Sequence, residues 1–408
     1  MLRWILIGMT MPLFGFAKQL DVCKTCAYPT IQSAIAAADS GDVILIKAGV
    51  YKEHDLVILK PLTLKAQGGC IIDGQKKGYI IQVSANHVTL SGLTLQNVGV
   101  SYTKDFAAIH LHKAKHFLIE NCTLENVLFG MLIEKSAHGI VRGNTISSLG
   151  TNETTSGNGV HLWHCDHVLV KNNRLSKLRD GIYFEFVTES NVVNNISENN
   201  FRYGLHFMFS NNNRYSDNTF RSNGAGVAVM FSKFIEMKRN MFIDNWGSAS
   251  YGLLLKEIYD AEIIGNRFEG NTIAINAESS NRVNYEHNTF KGNGYAIKVA
   301  GACYANIFVS NNFSSNAFDV SYNGKMNDNL FNGNHWSDYT GYDLDRNGIG
   351  DVPHRPVKLF SYIVNRTPEA IVLLRSLFVD IINFSEKVSP VFTPDELVDN
   401  SPVMRMIE

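Results

Sequence analysis

Gly204-Leu205-His206-Phe207-Met208, followed 22 residues later by Gly226-Val227-Ala228-Val229-Met230, are two of nine copies of one short pattern. Each copy starts at a small residue: Ala108, Gly130, Gly159, Gly181, Gly204, Gly226, Gly252, Ala274 and Ala296. The gaps are 22, 29, 22, 23, 22, 26, 22 and 22 residues. The first residue after the small one is always apolar, from Ile109 and Met131 through Leu205 to Ile297. So is the third, from Leu111 and Ile133 through Phe207 to Val299. Two apolar columns at a period of two, recurring at a longer period, mean short strands stacked around a shared interior.

Before each small residue lies a second signature, Asn-x-apolar-x-x-Asn, as in Asn218-Thr219-Phe220-Arg221-Ser222-Asn223 and again at 240–245, 266–271, 288–293 and 329–334. Asparagine tolerates left-handed backbone angles, which a turn needs. Recurring once per coil, its amides can hydrogen-bond from coil to coil, with the intervening Phe pointing inward. The predicted fold is all-β, a right-handed parallel β-helix solenoid of about a dozen coils. A leucine-rich horseshoe would need its Leu-x-x-Leu-x-Leu signature, and a propeller roughly twice the period. Earlier coils diverge but are readable at Val43-Ile44-Leu45-Ile46, Leu62-Thr63-Leu64 and Val88-Thr89-Leu90.

Terminal coils of a solenoid expose apolar faces and need covers. Thr30 to Ala38 reads as a short N-terminal capping helix with a Thr cap and Ile31, Ile35 and Ala38 on one side. Beyond Trp336 the repeat stops, and the tail carries an expected helix from Pro368 to about Asn383 that lies over the last coil or docks on a partner. The N-terminus has a basic start, an apolar run from Trp4 to Phe16 and a small-x-small site at Gly15-Phe16-Ala17, the pattern of a secretory signal peptide. The organisation is therefore 1–17 signal peptide, 18–42 leader and cap, 43–336 β-helix, 337–354 an Asp/Gly-rich loop, and 355–408 a tail with a helix.

A net charge of -1 argues against a nucleic-acid binder, and no later apolar run reaches membrane-span length. Membrane contact is expected only through partners. Six cysteines suit an oxidising compartment. Cys23-x-x-Cys26, in a leader expected to be mobile, could bind metal, do redox chemistry, close a small disulfide or be incidental. Cys70, Cys122, Cys165 and Cys303 read as small core or turn residues.

With the first and third columns buried, the second and fourth should face solvent. The second reads His110, Leu132, His161, Tyr183, His206, Ala228, Leu254, Asn276, Lys298, and the fourth His112, Glu134, Trp163, Glu185, Met208, Met230, Lys256, Glu278, Ala300. Exposed methionine is unusual. Met208 and Met230 should be neighbours across about 4.8 Å, with His206 on the same face, and thioether plus imidazole selects Cu(I) over hard ions. The alternative is a hydrophobic strip for a docking partner. His110, His112, His161, Trp163, Tyr183 and Glu185 extend the strip as a partner face. Three insertions, around 98–106, 150–158 and 246–250, fall at one corner and should form a wall beside it.

Asp343-Leu344-Asp345-Arg346-Asn347-Gly348-Ile349-Gly350-Asp351 matches the front of an EF-hand-like calcium loop. Oxygen donors would come from Asp343, Asp345, Asn347, the Ile349 carbonyl and Asp351. His354 stands where a bidentate Glu would close the loop, so the expected site is a shortened, structural calcium site, against an unmetallated Asp/Gly turn.

Arg179-Asp180-Gly181-Ile182-Tyr183, Arg202-Tyr203-Gly204-Leu205-His206-Phe207-Met208-Phe209-Ser210-Asn211 and Ala225-Gly226-Val227-Ala228-Val229-Met230-Phe231-Ser232 closely resemble the central motif of the NosD family. Asn334-His335-Trp336-Ser337-Asp338-Tyr339 through Asp351 resembles its end-of-helix motif, with His335 where a Tyr is more usual. The resemblance covers about residues 28 to 404. It implies a non-enzymatic periplasmic factor of nitrous oxide reductase maturation, working with an ABC-type ATPase and permease. Such a factor would receive Cu(I) from a copper chaperone or help the apo reductase acquire its copper-sulfide centre. The family's Met and His motif residues fall on His206, Met208 and Met230. The family is also grouped with carbohydrate-binding and sugar-hydrolase β-helices. The rival readings are therefore a polysaccharide-binding or polysaccharide-cleaving protein, using Asp180, Glu185 and Glu189 as a carboxylate pair, or a scaffold.

Overall fold

The glycines that open most repeats are a steric requirement of the coil stack. A Cβ on Gly130, Gly159, Gly181, Gly204 or Gly226 would sit 2.4 to 2.7 Å from the carbonyl oxygen of the small residue one coil on. In the computed structural model, twelve parallel strands form one sheet and twenty-five short strands a second, to which most coils contribute two. The structure describes residues 17–408 apart from 102, 248–249, 324–325 and 389–396. Most of the expected signal peptide, and parts of the first and third insertions, lie outside the described residues.

The repeat appears directly in the strand register. The site sheet includes β1 (Val160–Trp163), β2 (Asp180–Glu185), β3 (Tyr203–Met208), β4 (Ala225–Met230) and β5 (Tyr251–Lys256), each paired in parallel with the next. Leu205 and Phe207 are fully buried in the shared core, as are Val227 and Val229. Inside, Phe220, Phe242, Phe268, Phe290, Phe313 and Trp336 stack at centroid spacings of 4.1 to 5.5 Å. Stacking of this kind adds to the burial of large rings.

The asparagines form two buried ladders. In one, Asn218 Nδ2 donates to Asn240 Oδ1 at 3.0 Å, and the pattern continues through Asn266, Asn288 and Asn311 to Asn334. The second runs from Asn200 to Asn316. Their role differs from the expected one. The left-handed residue is the one before each ladder asparagine: Asp217 (φ 60°) and Ser222 (φ 52°), then Arg239 and Asp244 one coil on. The asparagine itself satisfies backbone groups that a corner would otherwise bury unpaired.

Asp399 ends the first ladder. Its buried carboxylate accepts from the Gly333 and Asn334 backbone N–H groups, Asn334 Nδ2 and Trp336 Nε1, at 2.9 to 3.1 Å. It is held there by bridges Phe331↔Asp399 and His335↔Val403, through which the segment 399–403 adds a partial coil.

Both ends differ in detail from expectation. Helix α1 (Ile31–Ala37) starts at Thr30, whose Oγ1 accepts from Ser33 N–H, and Ile31, Ala34 and Ile35 join the core. The leader is ordered: Gln19–Val22 pairs in register with Val43–Ile46, and Cys23 and Cys26 are joined as a disulfide. The four other cysteines are buried thiols. Instead of one helix from Pro368 to Asn383, the tail has α2 (Leu359–Arg366), a 3-10 segment (Pro368–Leu373) and α3 (Leu377–Val388). The break falls at Arg375, whose φ of 71° lies outside the helical region. Phe360 and Val364 of α2 pack with Phe318 of the last coil, and Val379 of α3 joins them. Among the described residues no helix is long and apolar enough to cross a membrane.

Candidate functional site

The outer face of β1 to β4 carries two continuous columns. His161, Tyr183, His206 and Ala228 are register partners on successive coils, as are Trp163, Glu185, Met208 and Met230. Met208 and Met230 are thus direct cross-strand neighbours on the side away from the core, and both are half-buried. A strand spacing of about 4.8 Å sets the two side chains side by side.

The second column points outward but is covered, contrary to the expectation that it faces solvent. Tyr183 is 9% exposed, His206 7% and Ala228 0%. The cover comes from large side chains on adjacent rungs. Tyr183 and Tyr203 each place a ring centroid 4.8 Å from that of His206, and His161 meets Tyr183 edge-on at 4.6 Å. The insertion at 150–158 closes in from its corner, where Asn152 caps a 3-10 turn over Glu153–Thr155 and Gly157 bonds back to the Leu128 carbonyl. Expanded turns between the second sheet and the site sheet are where the sequence placed them.

Buried charge organises this pocket. Asp180 is fully buried and accepts from Arg202 Nε at 2.9 Å and from its Nη2. Burial alone would push the Asp180 carboxyl up, but Arg202 and the adjacent His206 hold it below its ordinary value. His206 Nδ1 lies 3.6 Å from Asp180 Oδ2, an ion-pair distance too long for a hydrogen bond. Neither ring nitrogen of His206 has a hydrogen-bond partner. A carboxylate on the Nδ1 side of an imidazole is a common arrangement behind a metal-ligating ring. The donor set of His206 Nε2, Met208 and Met230 therefore fits a soft cation.

The remaining strip residues fall into two groups. His161 Nε2 is buried without a partner, and burial with the nearby Arg179 charge lowers its pKa to about 4, so the ring is neutral at pH 7. Burial and Glu185 push Tyr183 up to about 12, so it keeps its proton. Further along, His110 Nε2 lies 2.6 Å and His112 Nδ1 3.8 Å from one Glu134 oxygen, so that histidine pair clasps a carboxylate. His110 also stacks on Tyr79 at 4.8 Å.

Sequence reading missed two features. Arg202 is the partner of Asp180 across 22 residues. An exposed ladder of rings also borders the methionines: His164, Phe186, Phe209 and Phe231 stack at 4.6, 5.3 and 5.1 Å. Phe186 and Phe209 are each 41% exposed. The signal was present in the residue after the fourth column, which is aromatic in four successive copies.

Asp180 and Glu185 do not form the carboxylate pair of the rival reading. Asp180 is locked to Arg202, and Glu185 sits five residues on at the other end of the same strand, about 16 Å along it. Glu189 lies on an exposed turn beyond. Glycosidic pairs need separations of about 5 to 9.5 Å. In the candidate calcium loop, Asp343 accepts from the Asn347 and Gly348 backbone N–H groups, and Asp351 from that of Leu344. His354 turns away to pack on Trp336 at 4.9 Å, so position twelve adds no ligand.

These features define a class: a parallel β-helix whose outer face presents covered imidazole and paired thioether groups. The sequence model of the NosD family, described as periplasmic copper-binding protein, matches residues 148–341. A relative in Pseudomonas aeruginosa, named a probable ABC transporter binding protein NosD, is 30% identical over 382 residues, covering 88% of each chain. One of the same name in Stutzerimonas stutzeri is 27% identical over 383 residues, covering 88% of this chain and 86% of its own. The chain belongs to the NosD family. Among solved structures, a Yersinia enterocolitica family 28 exopolygalacturonase superposes with a TM-score of 0.60 at 10% identity, covering 77% of this chain and 78% of that one. A Streptomyces thermodiastaticus GH87 alpha-1,3-glucanase gives 0.54 at 15%, covering 79% and 70%. At such identities the likeness is one of fold alone.

Proposed function

We propose that this chain is a periplasmic, non-enzymatic copper-handling factor for nitrous oxide reductase maturation, and that Cu(I) is its cargo. The observation that carries this reading is the register pairing Met208↔Met230 beside a His206 ring with no hydrogen-bond partner. Two thioethers and one imidazole suit Cu(I), which hard ions do not compete for. A copper chaperone would deliver the ion to this face, and apo nitrous oxide reductase would take it for its copper-sulfide centre. His110, His112, His161, Trp163, Tyr183 and Glu185, with the exposed Phe186 and Phe209, would form the surface these partners contact. The P. aeruginosa and S. stutzeri names support an ABC-type partner. An ATPase and permease pair would be held through the tail, where Val372, Leu377, Ile381 and Phe384 are exposed. An export signal in the N-terminal segment would put these events in the periplasm, the compartment in the family's description. Calcium in the loop of Asp343, Asp345, Asn347, Ile349 and Asp351 would be structural.

The deciding experiment is anaerobic Cu(I) titration against a competing chelator, with wild-type chain and a Met208→Leu/Met230→Leu variant. The expected result is one tightly held Cu(I) in wild type and at least a 100-fold weaker one in the variant. Equal binding would reject the site, and a deletion strain whose reductase keeps its full copper would reject the function.

A further inference from the structure

A second cluster of donors lies off the strip, on the turn that follows the site sheet. His87, His116, His138 and His167 occupy equivalent positions on four consecutive coils, with φ between 52° and 56°. Their rings follow one another at 4.8, 5.3 and 4.8 Å, and all four are exposed. Asp166 precedes His167 and places Oδ1 2.7 Å from its Nδ1. One donor atom from each of His138, Asp166 and His167 lies within 4.8 Å of the others.

We propose that His138, Asp166 and His167 form a binding site for a divalent transition-metal ion of borderline hardness, separate from the thioether pair, with His116 on the adjoining coil as a fourth donor.

Backbone demands account for part of the pattern only. Left-handed positions favour Asn, Asp and His over other side chains. The next three coils fill the same position with Glu189, Asn212 and Phe234. A turn alone therefore selects no particular residue here, yet four imidazoles occur in succession. Stacked exposed imidazoles repel one another when protonated, whereas a shared cation uses their lone pairs. The coil spacing also fixes their separation, since the residues preceding His138 and His167 are bridged in parallel, Ala137↔Asp166.

Donor chemistry selects the ion class. Two imidazole nitrogens and one carboxylate oxygen suit Zn(II), Cu(II) or Ni(II), whereas Ca(II) and Mg(II) prefer oxygen alone and Cu(I) prefers sulfur. Bonds of about 2.0–2.1 Å to a tetrahedral ion place ligand atoms about 3.3 Å apart. Reaching that from 4.8 Å takes only side-chain rotation, which exposed rings on a rigid turn allow. Met208 belongs to a coil two further along and to a strand rather than a turn, so the two sites bind independently.

The test uses untagged, metal-stripped full-length chain titrated with Zn(II) against a competing indicator. Wild type should take one equivalent more than His138→Asn/His167→Asn, a substitution that suits the left-handed turn. The Met208→Leu/Met230→Leu chain should keep that equivalent. Cu(II) in place of Zn(II) should show nitrogen hyperfine splitting in wild type that the histidine variant lacks. Far-UV circular dichroism confirms that both variants keep the β-helix. Equal Zn(II) stoichiometry in wild type and the histidine variant, or loss of the equivalent in the methionine variant alone, overturns the proposal.

Discussion

Each strand of the site sheet has two unlike sides. Inward, Phe207 and Val229 fill the same column as Leu111, Ile133 and Phe184, and chemical identity barely changes from coil to coil. Outward, the successive partners Trp163, Glu185, Met208, Met230 and Lys256 change chemical class at every step but the one between the two methionines. A solenoid repeats whatever holds the coils together and is free to vary whatever does not. Chemistry accumulates on the varied side, and stability resides on the repeated one.

Substitutions can break this contrast. Phe268→Ala, inside the ring stack between Phe242 and Phe290, should cost about 3–5 kcal/mol in urea unfolding, because the fixed coils cannot collapse into the void. Asp399→Ala should cost about 3 kcal/mol by leaving buried N–H groups without an acceptor, and Asp399→Asn distinctly less, since an amide oxygen remains.

On the outer side one expected effect depends on pH and the other is small. His161 has a folded pKa of about 4, below its unfolded value of about 6.5. Between these pH values the unfolded chain binds the extra proton, so stability rises with pH and levels off above about 6.5. The slope should approach about 1.4 kcal/mol per pH unit between these values, and His161→Asn should remove that contribution. Phe209→Ala, on the exposed ladder, should change stability by no more than about 0.5 kcal/mol while weakening partner capture in a pull-down. A large loss of stability there would mean that the outer ladder is structural after all.

The inward side was the legible one. Strand parity is a local property, so Leu205 and Phe207 could be placed inside, and Met208 opposite Met230 outside, from spacing alone. The amide ladder was legible in kind, but the left-handed duty of Asp217 and Ser222 was not, because many polar residues satisfy a corner. What covers His206 could not be read. Tyr183 and Tyr203 close over it from neighbouring rungs, and Arg202 finds Asp180 across a whole coil. Neither relation leaves a periodic trace. In the tail, a 3-10 segment and the non-helical angles of Leu374 and Arg375 interrupt an otherwise helical apolar pattern.

The final rung of the ladder has a consequence for assembly. Asp399 arrives from 65 residues beyond Asn334, so the stack is closed only after the intervening tail has been made. A chain ending before it would present the Gly333 and Asn334 donors as an unprotected sheet edge, a template onto which another molecule's strands could add. Growth of such truncated chains into end-to-end fibres would show that the closing carboxylate also acts as a stopper against polymerisation.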